Sequence, residues 1–130
     1  MKTIIELYDE EPIFNILAAV AFRPETLVFI GGKLMRTDRK NRIIRCLEER
    51  NLSIKVHFYT ADANRIPSML ETMEKVTERF PDCVLDITGG SSTMLYAAGV
   101  FCSSRTIPVM VYEKTRGRFL NLQHCPDAEN

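Results

Sequence analysis

The residues best suited to chemistry in this chain are Thr88, Gly89, Gly90, Ser91, Ser92, Thr93 and Met94, which follow the apolar run Cys83-Val84-Leu85-Asp86-Ile87. Two adjacent glycines turn sharply and let a ligand come close to the main chain. The three hydroxyl residues after them are good helix N-caps. A strand, a glycine turn and a capped helix in that order leave a row of N–H donors directed outward, a ready site for a phosphate. The same residues also make a plain tight connection, and the motif by itself leaves both readings open. A second glycine turn, Gly31-Gly32-Lys33, sets Gly32 and Lys33 at another strand end, and Asp9 and Glu10 close the first strand.

The stretch from Asp86 to Met94 resembles the signature of CARF domains, the CRISPR-associated Rossmann folds, whose usual form is Asn-x-Thr-Gly-Gly-Thr-Lys-x-Met after the fourth strand. Thr88, Gly89, Gly90 and Met94 match, and Ser91 is a mild change. Asp86 stands where Asn is common, and Ser92 where the family usually has a Lys that would meet phosphate. The resemblance implies a homodimeric sensor that holds a cyclic oligoadenylate, cyclic tetra-adenylate foremost, across its two-fold axis in antiviral defence. A fused or separate effector, commonly a nuclease, would be its output. The motif's backbone donors would meet phosphates, with hydroxyl contacts from Thr88, Ser91, Ser92 and Thr93. Asp9 or Glu10 would accept from ribose hydroxyls or an adenine amino group.

The elements that must position these residues follow from apolar patterning. Short apolar runs at Lys2–Tyr8, Thr26–Ile30, Ile54–Tyr59 and Cys83–Ile87 read as buried strands. Between them lie helices at Ile13–Phe22, opened by Asp9-Glu10-Glu11-Pro12, at a basic segment with Arg36, Arg39, Lys40, Arg42 and Arg45, and at Ile66–Phe80. Met94–Phe101 is a helix without a single charge, apolar all round. Ile107–Tyr112 and Phe119–Leu122 form a closing hairpin around Lys114-Thr115-Arg116-Gly117. The alternation predicts an α/β, Rossmann-like, doubly wound and mostly parallel six-stranded sheet of order 3-2-1-4-5-6, its last strand antiparallel and helices on both faces. One domain spans residues 1–124, and the polar tail 125–130 is expected to be loose. Ligands of such sheets bind where the winding reverses, at the carboxyl ends of the strands. The two loops flanking that point carry Asp9 and Glu10 on one side and the Thr-Gly-Gly turn on the other.

Composition narrows the function. The 17 basic and 17 acidic residues cancel, which disfavours extended nucleic-acid binding and leaves any anion site local. No apolar run is long enough to span a membrane, and no signal peptide is evident, so a cytoplasmic location is expected. Cys46, Cys83, Cys102 and Cys125 are scattered and not at zinc-ligand spacing with His57 or His124; buried free thiols are expected, with no metal and no cofactor. Neither a dinucleotide fingerprint nor a Walker loop is present. No nucleophile with an activating base lies near the turn, so no catalytic residue is assigned. Three functions stay open: the ligand sensor, a metal-independent ring nuclease that uses a ribose 2′-hydroxyl as nucleophile, and an interaction domain without a ligand. Gly90→Asp is expected to block the phosphate position in a protein that still folds. The charge-free helix is expected to be covered by a second copy.

Overall fold

The computed structural model of the chain describes residues 1–128. Strand β1 (Thr3–Leu7) is buried along its whole length, as a central strand covered on both faces must be. Its parallel neighbours are β2 (Thr26–Gly31) and β4 (Cys83–Asp86). Outside them lie β3 (Lys55–Thr60) and β5 (Val109–Glu113), and β6 (Arg118–Gln123) closes the sheet antiparallel to β5. The strand order is β3-β2-β1-β4-β5-β6, as the alternation of elements predicts.

Two apolar layers flank the sheet. Helices α1 (Pro12–Phe22) and α2 (Thr37–Glu49) cover one face through Ile16, Ala19, Ile43 and Leu47. Helices α3 (Ile66–Arg79) and α4 (Ser92–Cys102) cover the other through Met69, Met73, Met94, Ala98 and Phe101. The methionines of α3 are core side chains, packed where the apolar period of that helix puts them.

Two expectations need correction. β5 begins at Val109, not Ile107, because Pro108 has no N–H to add to the ladder; it contributes only its carbonyl, which accepts from Leu85 N–H at 2.8 Å. The polar stretch after β6 is not loose where it is described. Cys125 and Ala128 are 2% and 4% exposed within the α1–α2 layer, and Cys125 N–H donates to Asn121 Oδ1 at 2.9 Å. Residues 129 and 130 of that stretch lie outside the described residues.

Candidate functional site

A cleft of about 1070 Å3 opens over the carboxyl ends of β1, β2, β3 and β4. It spans the point where the winding reverses between β1 and β4, the place where doubly wound sheets bind ligands. Of the residues singled out in the sequence, Asp9, Glu10, Gly32, Lys33, Gly90, Ser91 and Met94 line it. Thr88, Gly89, Ser92 and Thr93 belong to the same turn and helix start but do not line the cleft.

The turn is built by its neighbours. Asn15, buried in the first turn of α1, accepts from Asp9 N–H at 2.9 Å and returns its amide to Asp9 carbonyl at 2.8 Å. Thus fixed, the Asp9 carboxylate accepts from Glu11 N–H with Oδ1 and from Gly90 N–H with Oδ2, each at 2.8 Å. The N–H of Gly90, expected to face a phosphate, is therefore already held by an internal anion. Thr88 also faces inward. Its hydroxyl donates to Asp86 Oδ1 and accepts from Tyr112 N–H at 2.9 Å, tying the turn to β5. Ser91 is the N-cap of α4, its hydroxyl accepting from Met94 N–H at 3.3 Å. Among the described residues no acceptor meets the N–H groups of Ser92 and Thr93, which are the free donors at this helix end.

Both glycines of the turn are demanded by packing. A Cβ on Gly89 would lie 2.9 Å from Asp9 Cβ and 3.2 Å from Leu7 carbonyl oxygen. Gly90 has φ +102°, a conformation L side chains rarely adopt, and its Cβ would lie 2.9 Å from Leu7 Cβ. Gly90→Asp is thus not the clean probe the sequence promised, because the substitution forces the turn itself to move.

The charges around the cleft are largely paired. Glu10 accepts from the Tyr8 hydroxyl at 2.9 Å and meets Arg39 at 3.6 Å. Burial, followed by the bond to Glu10, pushes the Tyr8 phenol up to about 12. Arg39 of the basic α2 segment pairs with Glu10 at this edge; Arg42 and Arg45 are exposed. Lys33 is the cation in the cleft lining. His57, on β3, lies tilted against Phe80 with ring centroids 5.3 Å apart, and burial, then Arg79 and Lys55, lowers its affinity for a proton. The cysteines are free, and burial pushes the Cys83 thiol up to about 11, which keeps it an unreactive core group. Among the described residues no group of three or more His, Cys, Asp or Glu side chains is placed to hold a metal. No helix among them is long and apolar enough to cross a membrane.

No protein-family model and no curated sequence matches the chain. Solved structures do. Can2 from Sulfobacillus thermosulfidooxidans, in complex with cyclic tetra-adenylate, superposes with a TM-score of 0.80 at 17% identity, covering 94% of this chain and 35% of that one. Protein VC1899 from Vibrio cholerae gives a TM-score of 0.77 at 18% identity over 99% of this chain and 34% of that one. A type III CRISPR defence DNA nuclease activated by cyclic oligoadenylate gives 0.64 at 16% identity, over 92% and 19%. This chain shares their fold. It spans about a third of the first two and a fifth of the third.

The sequence reading missed the third wall of the cleft. Thr60 at the end of β3, Ala61, Asp62, Ala63 and Asn64 in the loop after it, and Ser68 in the first turn of α3 line it together with Leu34. Asp62 Oδ1 accepts from Asn64 N–H at 3.2 Å, and Asp62 N–H donates to Ser68 Oγ at 2.9 Å. The parallel register of β2 and β3 ends in the pair Gly31 and Thr60, which brings this loop beside Gly32 and Lys33. The available signal was an Asp-x-Asn turn directly after a strand, and it needed the sheet order to acquire meaning.

Proposed function

We propose that this chain is a CARF-type sensor domain that binds a cyclic oligoadenylate, cyclic tetra-adenylate foremost, as a homodimer and controls a fused or separate effector in a CRISPR-linked defence system of the cytoplasm. One observation carries the reading. The large cleft at the winding reversal is lined by Gly90, Ser91 and Met94 of the motif, in a fold shared with a protein solved with cyclic tetra-adenylate. A ring of phosphates needs donors and a cation; Lys33 is in the cleft lining, and the open N–H groups of Ser92 and Thr93 stand at the helix start next to Ser91, outside that lining. With Gly90 N–H taken by Asp9, phosphate contact shifts toward the helix start. Asp9 and Glu10 shape the cleft, and Ser91 and the residues around Asp62 and Asn64 offer polar groups to ribose and base.

Calorimetry with cyclic tri-, tetra- and hexa-adenylate tests this directly. Saturable binding of one ring per two chains is expected, strongest for cyclic tetra-adenylate. Lys33→Ala should weaken it by about 1 kcal/mol, roughly fivefold, and flatten its salt dependence. Absence of binding by all three rings would refute the reading. Linear products appearing without added metal would turn the sensor into a ring nuclease.

A further inference from the structure

Two acids stand side by side in the centre of the sheet. Glu6 is 1% exposed and Asp86 is 0% exposed, and the register of β1 with β4 makes them direct neighbours. Strand alternation puts them on the α1–α2 face with Ile4 and Val84. Their outer neighbours in register are Phe29 on β2 and Met110 on β5. The titratable groups of that layer are Tyr8, Tyr112, Cys46 and Cys125, and α1 adds the neutral Asn15. Of the cations on that side, Arg39 pairs with Glu10, Lys40 lies over Phe58 and Lys114 over Phe14, while Arg42 and Arg45 of α2 are exposed. The charge that acts on Glu6 is that of Asp86.

Two bare carboxylates in such a place would be prohibitively costly, since like charges in low dielectric repel and neither is hydrated. The hydrogen bonds show how the cost is avoided. Asp86 Oδ1 accepts from both the N–H and the hydroxyl of Thr88, and that hydroxyl already accepts from Tyr112 N–H, so its proton points at Asp86. Asp86 is thereby the acceptor. Asp86 Oδ2 and Glu6 Oε2 are each fully buried and meet no donor among the described residues. A single proton on Glu6, donated to Asp86, converts these two orphan acceptors into one hydrogen bond.

We propose that Glu6 and Asp86 hold one proton between them, and that Glu6, acting through Asp86 and Thr88, is a positioning residue for the Thr88-Gly89-Gly90 turn at the cleft. The importance of that turn rests on the function proposed above; the shared proton does not. Burial, then the Asp86 charge, raises the affinity of Glu6 for its proton well above the ordinary range, and burial raises that of Asp86. Coupled acids titrate as a pair, so the pair keeps its last proton far above the usual carboxyl value. When that proton leaves, Asp86 faces a second anion and the Thr88 anchor is strained.

The sign of the pH dependence follows. Above 4.5, the ordinary Glu value, an unfolded chain releases this proton and the folded chain retains it. Stability therefore falls as pH rises, until the folded pair also loses the proton. The slope for one proton approaches a tenfold change in the folding equilibrium constant per pH unit.

The experiment compares wild-type protein with Glu6→Gln, whose amide donates to Asp86 without a titrating proton. Urea unfolding across pH 5 to 8 should show the unfolding constant rising toward tenfold per unit more steeply in wild type than in the variant. Amide exchange at Tyr112, corrected for its intrinsic pH dependence, should accelerate with pH in wild type alone. Equal slopes and equal exchange would overturn the proposal. Infrared spectra of the wild-type protein keep it testable if the variant misfolds: a protonated-carboxyl carbonyl band present at neutral pH is required, and its absence refutes the shared proton. These readouts need no ligand, so they stand whether or not cyclic tetra-adenylate binds. If it binds, affinity should fall with rising pH in wild type and not in Glu6→Gln; parallel behaviour of the two would remove the positioning role.

Discussion

Asp9 already satisfies the turn donor that an anion arriving at Gly90 would need. Its carboxylate holds Gly90 N–H and Glu11 N–H, and Asn15 locks its backbone from below. Removing it leaves a turn amide without its charged partner, and hydrogen bonds to charged groups contribute about 1.5–3 kcal/mol each. Asp9→Ala should therefore destabilise the chain by about 2 kcal/mol in urea titrations. Gly90→Ala should cost about 1–3 kcal/mol from its left-handed backbone, with the contact to Leu7 added to it. If Gly90→Ala were as stable as wild type, the observed turn geometry would be wrong. The motif was legible in the sequence because glycine pairs and hydroxyl runs carry local rules. Its supports were not. In the sequence Asn15 is one polar residue within an apolar helix and Glu6 one acid between apolar neighbours; only hydrogen bonding, register and burial reveal that one holds the Asp9 loop and the other faces Asp86.

At the scale of elements, the order of strands and helices was readable because each has its own period and each turn its own residues. Boundaries moved where one residue overrules a run, as Pro108 does at the start of β5. The chain after β6 shows the opposite failure. Cys125-Pro126-Asp127-Ala128 reads as polar, yet two of its side chains are buried against the α1–α2 layer. Composition averages over a segment, whereas packing selects individual side chains. Truncation after His124 should accordingly lower stability by about 1–3 kcal/mol, the scale of losing two small buried groups and their ordered turn. Thermal denaturation of the truncated chain checks this, and an unchanged midpoint would mean that the segment contributes nothing.

At the scale of the whole molecule, α4 leaves large apolar side chains uncovered. The expected all-round burial of α4 fails on a single copy: Tyr96 is 67% exposed and Val100 42%, while Met94, Ala97, Ala98 and Phe101 fill the core. Tyr96 and Val100 are one helical turn apart, so they form a stripe along the outer face of α4. That helix begins at the cleft, with Ser91 at both its N-cap and the cleft wall. A second copy laid against the stripe in isologous fashion would pair Tyr96 and Val100 with themselves and bring two clefts toward a common axis. A symmetric ring ligand would then meet the same donors twice. Tyr96→Glu places a charge in the middle of that contact. As an exposed position it should leave the folded chain within about 0.5 kcal/mol of wild-type stability. Light scattering should report a dimer for wild type at micromolar concentration and a monomer for Tyr96→Glu, with ring binding lost or reduced to a one-to-one complex of lower affinity. A wild-type monomer, or a Tyr96→Glu dimer of unchanged strength, would exclude α4 as the dimer contact.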